Sequence, residues 1–289
     1  MLTRRKFLEK SIQNVAAGAV LGATDLYATE RLAWTKPIGL ELYTVRELFA
    51  KDPAGTLKQV AAAGYKEVEA GSGAKPGMLS AQLRAAGLTA PSGYFDEPKS
   101  IDEWKKSVDM AHSYGMRYIV VGDNPKLDVK AWKKRADFYN ECGKAAQEAG
   151  LQFCYHAHFR EFAETGGACG YDIMLEKCDP KLLKMEMDIF WVTYAGKDPL
   201  AYWKRYPGRF PLLHIKDLRK GIAVNHQEDP GKPNPFVPVG QGRIDWKGIF
   251  AHVHEAGAEH IFVEQDECDT SPLEAMKISF DYLKSLRLS

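Results

Sequence analysis

The chain has 289 residues, of which 45% are hydrophobic, 11% aromatic and 27% charged. This composition is typical of a globular protein with one large core, and the length suits a single α/β barrel. The formal net charge at pH 7 is only +1. That value excludes the broad positive field that attracts nucleic acids or acidic membranes, so we expect neither as a partner.

The first thirty residues have the layout of a secretory signal. The basic run Thr3–Leu8 precedes a modest apolar stretch rich in alanine and glycine, and small residues follow near Ala28. The basic run resembles the twin-arginine consensus. The apolar stretch contains Gln13 and Asn14 and is too short for a stable membrane span. We predict a signal segment at 1–30 and export to the periplasm; an amphipathic helix of the mature protein is the alternative.

From residue 37 onward, short apolar or β-branched runs alternate with helical patterns. Helix starts are indicated at Asp52-Pro53, at Asp198-Pro199, and by capping boxes at Ser100–Glu103 and Ser271–Glu274. The predicted strands are Ile38–Val45, Lys66–Glu69, Leu88–Tyr94, Arg117–Val121, Gln152–His158, Leu183–Phe190, Phe210–Lys216 and Ile261–Glu264.

Ala-Gly pairs end four of the predicted helices, at Gly64, Gly87, Gly150 and Gly257, and a strand follows each. A left-handed glycine before a buried strand is typical of the helix-to-strand joint in parallel barrels. We predict that residues 37–289 form one (β/α)8 TIM barrel. A doubly wound open sheet is the alternative, but its expected phosphate loop is missing, since the sequence has neither GxGxxG nor a Walker motif.

Polar residues interrupt the last four predicted strands near their carboxyl ends, where TIM barrels place their active sites. They are His156, His158, Asp188, His214 and Glu264. Charged groups in a buried strand are costly unless they are paired or bind a metal. We predict that Asp188, His214 and Glu264 bind one divalent ion, with His156 or Glu161 completing the site. Mixed nitrogen and oxygen donors disfavour calcium and are compatible with Mn, Co, Zn, Fe or Mg. The alternative to a metal site is that these residues are polar core residues paired with one another.

The five cysteines form no CxxC pair, so zinc-ribbon and thioredoxin-like motifs are not indicated. We expect most of them to be small buried residues, although one disulfide is possible if the chain is in an oxidising compartment. Two loops are predicted to cover the barrel mouth, at Gly71–Gly77 and in the Gly- and Pro-rich stretch Arg219–Gly242.

Seven stretches carry a family resemblance, and they follow one another along nearly the whole chain after the signal. They are Ile38–Glu47, Gly64–Glu69, Tyr155–His158 with Glu161–Phe162, Glu186–Trp191, His214–Asp217, Pro238–Gly242 with Ile244–Trp246, and Val263–Glu264. Together they resemble the sugar phosphate isomerase/epimerase family with the xylose isomerase-like barrel. The ketose 3-epimerases of that superfamily bind their metal through Glu, Asp, His and Glu, which implies Asp188, His214 and Glu264 in the last three places.

The chain departs from that pattern at His156, which stands where the epimerases have a glutamate. The two-glutamate proton shuttle of those enzymes therefore lacks one base. Ala157 also replaces an asparagine that is frequent in the subgroup, and Glu41 stands where glutamine is usual.

The resemblance implies a metal-dependent sugar isomerase or epimerase that removes a proton next to a carbonyl. Glu264 is the expected base, and His156 or His158 would relay the proton. The residues expected to contact substrate are Glu41, Tyr43, Glu69, Glu161, Trp191 and Lys216. Tyr43 and Trp191 would stack on the sugar, or else pack at the barrel rim. Lys216 would neutralise an anionic species, or else pair with Asp217 or Asp188.

Export favours a free sugar, a glycoside or a 3-keto glycoside over a phosphorylated substrate. Proton removal next to a ketone also permits β-elimination, so a lyase or hydrolase of 3-keto glycosides is the main alternative function. A non-catalytic sugar-binding barrel is a second alternative. A multi-zinc DNA endonuclease is a third, which the net charge of +1 opposes. The sequence leaves open whether the chain forms a homo-oligomer.

Overall fold

The structure is a computed structural model that describes residues 31–71, 78–123 and 125–288. The predicted signal segment at 1–30 lies outside the described residues, and export therefore stays a prediction. The predicted loop at 71–77 likewise lies outside them, apart from Gly71. Within the described ranges, no helix is long and apolar enough to cross a membrane.

Eight parallel strands close into a barrel, which confirms the predicted fold class. The strands follow chain order around the barrel, and the eighth pairs with the first. They are β1 (Gly39–Glu41), β2 (Glu67–Ala70), β3 (Thr89–Tyr94), β4 (Tyr118–Asp123), β5 (Gln152–Ala157), β6 (Leu183–Asp188), β7 (Leu212–Ile215) and β8 (His260–Val263). Two predicted strands were too long, because Leu42–Val45 forms a 3-10 helix and a helix begins at Ile189.

Helices surround the barrel and connect its strands. They are α1 (Arg46–Lys51), α2 (Pro53–Ala62), α3 (Met78–Ala86), α4 (Ile101–Ser113), α5 (Val129–Glu148), α6 (Gly170–Lys177), α7 (Ile189–Tyr194), α8 (Pro199–Arg205), α9 (Trp246–Ala251), α10 (Val253–Ala256) and α11 (Pro272–Ser285). A second 3-10 turn covers Arg160–Phe162. Pairs of two-residue antiparallel strands join Arg31–Leu32 to Arg287–Leu288, Glu164–Thr165 to Ala168–Cys169, and Asp217–Leu218 to Phe236–Val237.

Most of the predicted helix ends form as expected. The side chains of Asp52, Ser100 and Asp198 each accept a backbone hydrogen bond from the first turn that follows. Ser271 was predicted to cap in the same way, but its side chain makes no cap hydrogen bond. Pro272 opens α11 instead, because its fixed φ suits the first helical position. The four glycines predicted to end helices have φ between +70° and +113°: Gly64, Gly87, Gly150 and Gly257.

Apolar side chains fill the middle of the barrel. They are Tyr118, Val120, Cys154, Leu212 and Phe262, and they form a cluster separate from the large core between strands and helices. Gly39 makes room for this filling, since a Cβ there would lie 2.4 Å from Cδ1 of Phe262. The polar residues that come next along the strands therefore lie on a closed floor at the carboxyl end of the barrel.

None of the five cysteines forms a disulfide. Four are buried and Cys268 is half-buried. Most of them therefore behave as the small buried residues that the sequence predicted.

Candidate active site

Strand register brings six polar side chains together above the apolar floor. Adjacent register partners are Glu41 with Glu69, His156 with Glu186, and Asp188 with His214. Every one of these six residues is at most 5% exposed. Because alternate residues of a strand face the same side, Glu186 and Asp188 on β6 both point into the barrel.

The imidazole of His214 lies at the centre of this cluster. Its Nδ1 is 2.9 Å from Oε2 of Glu264, and its Nε2 is 2.6 Å from Oε2 of Glu69. Oε2 of Glu186 lies 3.4 Å from the same Nε2. Burial alone would lower the pKa of His214, but the charges of Glu186 and Glu264 outweigh it and hold that pKa well above its usual value.

Among the described residues, three sets of side chains place potential metal-ligand atoms within 4.8 Å of one another, and His214 belongs to each. They are Asp188 with His214 and Glu264, His156 with Glu186 and His214, and Glu41 with Glu69 and His214. The first set consists of the three residues that the sequence predicted as metal ligands. Its imidazole and carboxylate donors suit a first-row divalent ion or zinc.

The two carboxylate oxygens of Asp188 have different partners. Its Oδ1 accepts hydrogen bonds from the backbone N–H groups of Phe190 and Trp191, at 2.8 and 3.2 Å, and so caps α7. This leaves Oδ2 available to a cation. The cap fixes the carboxylate at the carboxyl end of β6, where a buried charge needs a partner.

Negative charge exceeds positive charge in the cluster. Burial, followed by the neighbouring Glu69 charge, raises the pKa values of Glu41 and Glu186 well above their usual range. One oxygen of each, Oε2 of Glu41 and Oε1 of Glu186, has no hydrogen-bond partner. Buried carboxyl groups in this state either hold protons or need added positive charge. A divalent cation therefore fits the donor set of the cluster.

Lys216 contributes a positive charge to the same place. Its Nζ lies 3.1 Å from Oδ2 of Asp188, 2.7 Å from Oε2 of Glu264 and 2.9 Å from Oδ1 of Asp266. Of the two structural partners left open by the sequence, Asp188 is therefore the one that it contacts. The pairing with Asp217 does not occur, because that carboxylate is saturated by other donors.

Asp217 binds the segment that follows the long loop after β7. Its carboxylate accepts hydrogen bonds from the backbone N–H groups of Leu218, Gly240, Gly242 and Ile244 and from Nε1 of Trp246, at 2.8 to 3.3 Å. A Cβ at position 242 would lie 2.0 Å from Oδ1 of Asp217, so only glycine allows this approach. The buried carboxylate therefore fixes the segment 238–246 against the end of β7.

The two histidines at the end of β5 both reach the cluster. Nδ1 of His156 is 3.1 Å from Oε2 of Glu186, and its Nε2 is 4.0 Å from Oδ2 of Asp188. Burial, then the His214 charge, lowers the pKa of His156 and keeps the ring neutral. The ring of His158 lies 4.9 Å from that of His156, between centroids, and its Nδ1 is 3.0 Å from the carbonyl oxygen of Asp123. That carbonyl requires an N–H at Nδ1, so Nε2 carries the lone pair.

Two residues predicted to contact substrate do not join the cluster. Tyr43 is 49% exposed at the rim, and the guanidinium of Arg46 lies 4.1 Å from its ring centre. Glu161 is fully buried, and its Oε1 accepts hydrogen bonds from the backbone N–H of His158 and the hydroxyl of Tyr155. Glu161 belongs to none of the ligand sets found among the described residues. Its position supports the turn that carries His158.

The remaining predicted contacts lie at the cluster or beside it. Trp191 is 5% exposed, and its ring centre lies 5.5 Å from that of His158. Glu41 and Glu69 lie at the centre, where Glu69 also accepts a short hydrogen bond from the Ser92 hydroxyl.

Glu161 makes the stability of the fold depend on pH. Burial raises its pKa from 4.5 to about 8, and its Oε2 has no partner. The folded chain therefore binds a proton that the unfolded chain releases above pH 4.5, so stability falls as the pH rises from about 5 to about 8. Glu161→Gln mimics the protonated group, and we expect it to be more stable than wild type at pH 9 by about 5 kcal/mol, with near equality at pH 5.

Urea unfolding at pH 5, 7 and 9 measures this difference. Glu148→Gln, on the exposed face of α5, is the control and should follow wild type at every pH. If the free energy of unfolding of Glu161→Gln differs from that of wild type by the same amount at all three pH values, the assigned pKa is contradicted.

The loop after β7 was predicted to be a lid without secondary structure. It instead contains a two-residue strand, Phe236–Val237, and is tied to its neighbours. Arg219 forms an ion pair with Asp269, Nδ2 of Asn234 donates to the carbonyl of Glu267 at 3.1 Å, and Arg160 pairs with Asp229 at 3.1 Å. These contacts hold the loop against the connections that follow β5 and β8.

Sequence reasoning missed Glu186 in the cluster, and it missed Tyr94 and Asp266, which lie beside it. The alternation of β6 gave a signal for Glu186, since it lies two residues before Asp188 and must face the same side. The ring of Tyr94 lies 5.3 Å from that of His156, between centroids. Nothing in an apolar strand distinguishes such a tyrosine from an ordinary core residue.

Comparisons with known proteins identify the family of this barrel. The family model described as the xylose isomerase-like TIM barrel matches residues 57–286. An inosose dehydratase from Lacticaseibacillus casei is 26% identical over 252 residues, covering 75% of this chain and 84% of the relative.

Two solved structures share the fold. A sugar phosphate isomerase/epimerase from Parabacteroides distasonis ATCC 8503 has a TM-score of 0.76 at 22% identity, covering 91% of this chain and 98% of that one. The IolI protein, solved with a bound zinc atom, has a TM-score of 0.66 at 15% identity, covering 85% and 96%.

Proposed function

This chain belongs to the xylose isomerase-like TIM barrel family, and we propose that it is a metal-dependent enzyme that removes a proton next to the carbonyl of a sugar or glycoside. The observation that carries the proposal is the convergence of Asp188, His214 and Glu264 at the carboxyl end of the barrel. Such a donor set at this end of a TIM barrel is typical of a catalytic metal centre.

Asp188, His214 and Glu264 would hold the metal, with His156 beside Asp188 as the fourth group. A divalent ion bound there would polarise the substrate carbonyl and make the adjacent C–H acidic. Burial would raise the pKa of Glu264, but Lys216 and His214 outweigh it and hold that pKa well below its usual range. Glu264 is therefore ionised at neutral pH and able to accept a proton.

His158 is the second acid–base group of the proposal. Burial, then the charge of Lys216, lowers its pKa, so the ring is neutral and its Nε2 can accept a proton and return it. Its neighbour Trp191 supplies an aromatic face at the same place. Sugars bind such faces through their C–H groups, which would set the reacting carbon near His158.

The acidic wall of the cluster suits an uncharged polyol. Glu41 and Glu186 hold protons more readily than ordinary carboxyl groups, so each can both donate to and accept from a hydroxyl. A phosphate or carboxylate would instead meet buried carboxylates, and Lys216 is already surrounded by three of them. This argues for a free sugar or glycoside.

Elimination fits this chain at least as well as isomerisation. In an elimination a base takes the proton, the electron pair forms the C=C bond as the neighbouring C–O bond breaks, and a proton is delivered to the departing oxygen. Ionised Glu264 or neutral His158 would take the proton, and the same group, once protonated, would return it to the departing oxygen. The name of the dehydratase relative also denotes loss of water. In addition, His156 stands where the epimerases have one of the two glutamates of their proton shuttle. Isomerisation or epimerisation, predicted from the sequence, is the second candidate.

Proton NMR in D2O separates the candidates. The metal-loaded protein is incubated with free ketoses and with 3-keto glycosides. Deuterium incorporation without release of water or aglycone identifies an isomerase or epimerase, and release identifies a lyase. Tight metal binding with neither result would favour the non-catalytic sugar-binding barrel and overturn the proposal.

A further inference from the structure

One ammonium group lies inside the candidate metal centre. Lys216 comes two residues after His214, and its side chain is only 2% exposed. Oxygens of Asp188, Glu264 and Asp266 lie 2.7 to 3.1 Å from its Nζ. Each of these three contacts is an ion pair, and Oδ2 of Asp188 accepts no hydrogen bond from a described residue.

Aromatic rings close the other side of this ammonium group. The ring centres of Phe190, Trp191 and Phe236 lie 5.3 to 5.9 Å from Nζ. Ring faces attract a cation but replace neither water nor a carboxylate as hydrogen-bond acceptors. The carboxylates are therefore the groups that hold the charge of Lys216 inside the barrel.

Two of these three carboxylates are the candidate metal ligands. Oδ1 of Asp188 is engaged by the backbone N–H groups that it caps, so Oδ2 is the atom left for a cation, and this atom faces Lys216. Oε2 of Glu264 faces both Lys216 and Nδ1 of His214. A metal ion bound by this set would draw on the same oxygens, and two cations that share ligands away from water repel each other strongly.

We propose that Lys216 and the divalent metal ion compete for Asp188 and Glu264, so that the ammonium is the counter-charge of the metal-free centre and shifts towards Asp266 when metal enters. This inference rests on the metal site of the proposed function. Asp266 can receive the charge because it already contacts Nζ and its side chain is 21% exposed, unlike the other two. Lys216 thus weakens metal binding while it stabilises the metal-free fold.

Lys216→Met removes the charge and keeps an unbranched side chain against the aromatic rings. Zinc affinity of the full chain is measured by competition with a chromophoric chelator. We expect the variant to bind zinc about 10- to 100-fold more tightly than wild type, because the repulsion between the ammonium group and the metal ion is removed. The metal-free variant should melt at a lower temperature than wild type, and zinc should raise its melting temperature by more.

Lys184→Met is the matched control. Lys184 lies on β6, four residues before Asp188, so it faces the same side of the strand but belongs to the opposite end of the barrel. Its Nζ donates to the carbonyl of Gly208, at 2.6 Å. We expect this variant to bind zinc with the affinity of wild type.

Equal or weaker zinc binding by Lys216→Met would overturn the inference, because Lys216 would then organise the ligands rather than compete for them. Lys216→Gln, which is neutral but polar, provides a second variant if the first folds only with zinc. If neither wild type nor these variants binds zinc, the metal site of the proposed function fails, and the inference fails with it. Wild-type binding that the variants do not improve overturns the inference alone.

Discussion

Asp188→Asn is expected to lower the affinity for the metal by at least about 100-fold and to abolish measurable turnover. The amide keeps an oxygen for the N–H groups of Phe190 and Trp191, so α7 remains capped. Towards the metal, however, it replaces a negatively charged oxygen by an uncharged group. Equilibrium metal binding and the D2O exchange assay measure the two effects.

Asp188→Ala separates the metal from the helix cap. It removes both the ligand and the acceptor for the cap, so we expect the same loss of metal and a further loss of about 1 kcal/mol of stability. Asp198→Ala is the control, since Asp198 caps α8 through the N–H of Leu200 but lies outside the metal cluster. This control variant should lose a similar amount of stability and bind the metal with the affinity of wild type. Tight metal binding by Asp188→Asn would remove Asp188 from the proposed ligands.

Asp217→Ala is expected to destabilise the protein by about 3 to 5 kcal/mol, a fall in melting temperature of about 10 °C. The reason is that five donors lose their common acceptor, and the carboxylate that they surround is fully buried. Backbone N–H groups left unpaired away from water are costly. Thermal and urea unfolding measure the loss.

Two further variants calibrate this effect. Asp217→Asn keeps one acceptor oxygen and should lose less stability than the alanine variant. Asp245→Ala removes an exposed cap in the same segment, where Asp245 accepts from the N–H of Gly248, and should cost only about 1 kcal/mol. A melting temperature for Asp217→Ala within 2 or 3 °C of the Asp245→Ala value would show that the buried carboxylate does not hold the segment.

The barrel could be predicted from the sequence because its signals are local. Aspartate before proline, serine before a helix, and glycine at a left-handed position each specify a helix end through its own backbone. The wrong predictions of secondary structure also have local causes. Ser271 has the pattern of a capping box, but the proline after it already satisfies the helix start. Leu42–Val45 reads as strand, yet the N–H of Tyr43 donates to Glu41 and turns the chain.

The site was harder to predict because its members depend on contacts between distant strands. Asp188, His214 and Glu264 were found since polar residues at strand ends are conspicuous. The partner of Lys216 was not predicted, because Asp217 is adjacent to it in the chain, whereas Asp188 comes close to it only through the pairing of β6 with β7. Glu161 shows the same limit: its partner Tyr155 points away from the barrel interior, which no spacing in the loop reveals.

The apolar filling that Gly39 admits beneath the candidate metal centre closes the barrel from below, within the described residues. In the proposed function, ion and sugar would both reach Asp188 and His214 from the carboxyl ends of the strands. A sugar bound above these two residues would stand between the ion and bulk water. The ion would then have to bind before the sugar, and a bound sugar would slow exchange of the ion.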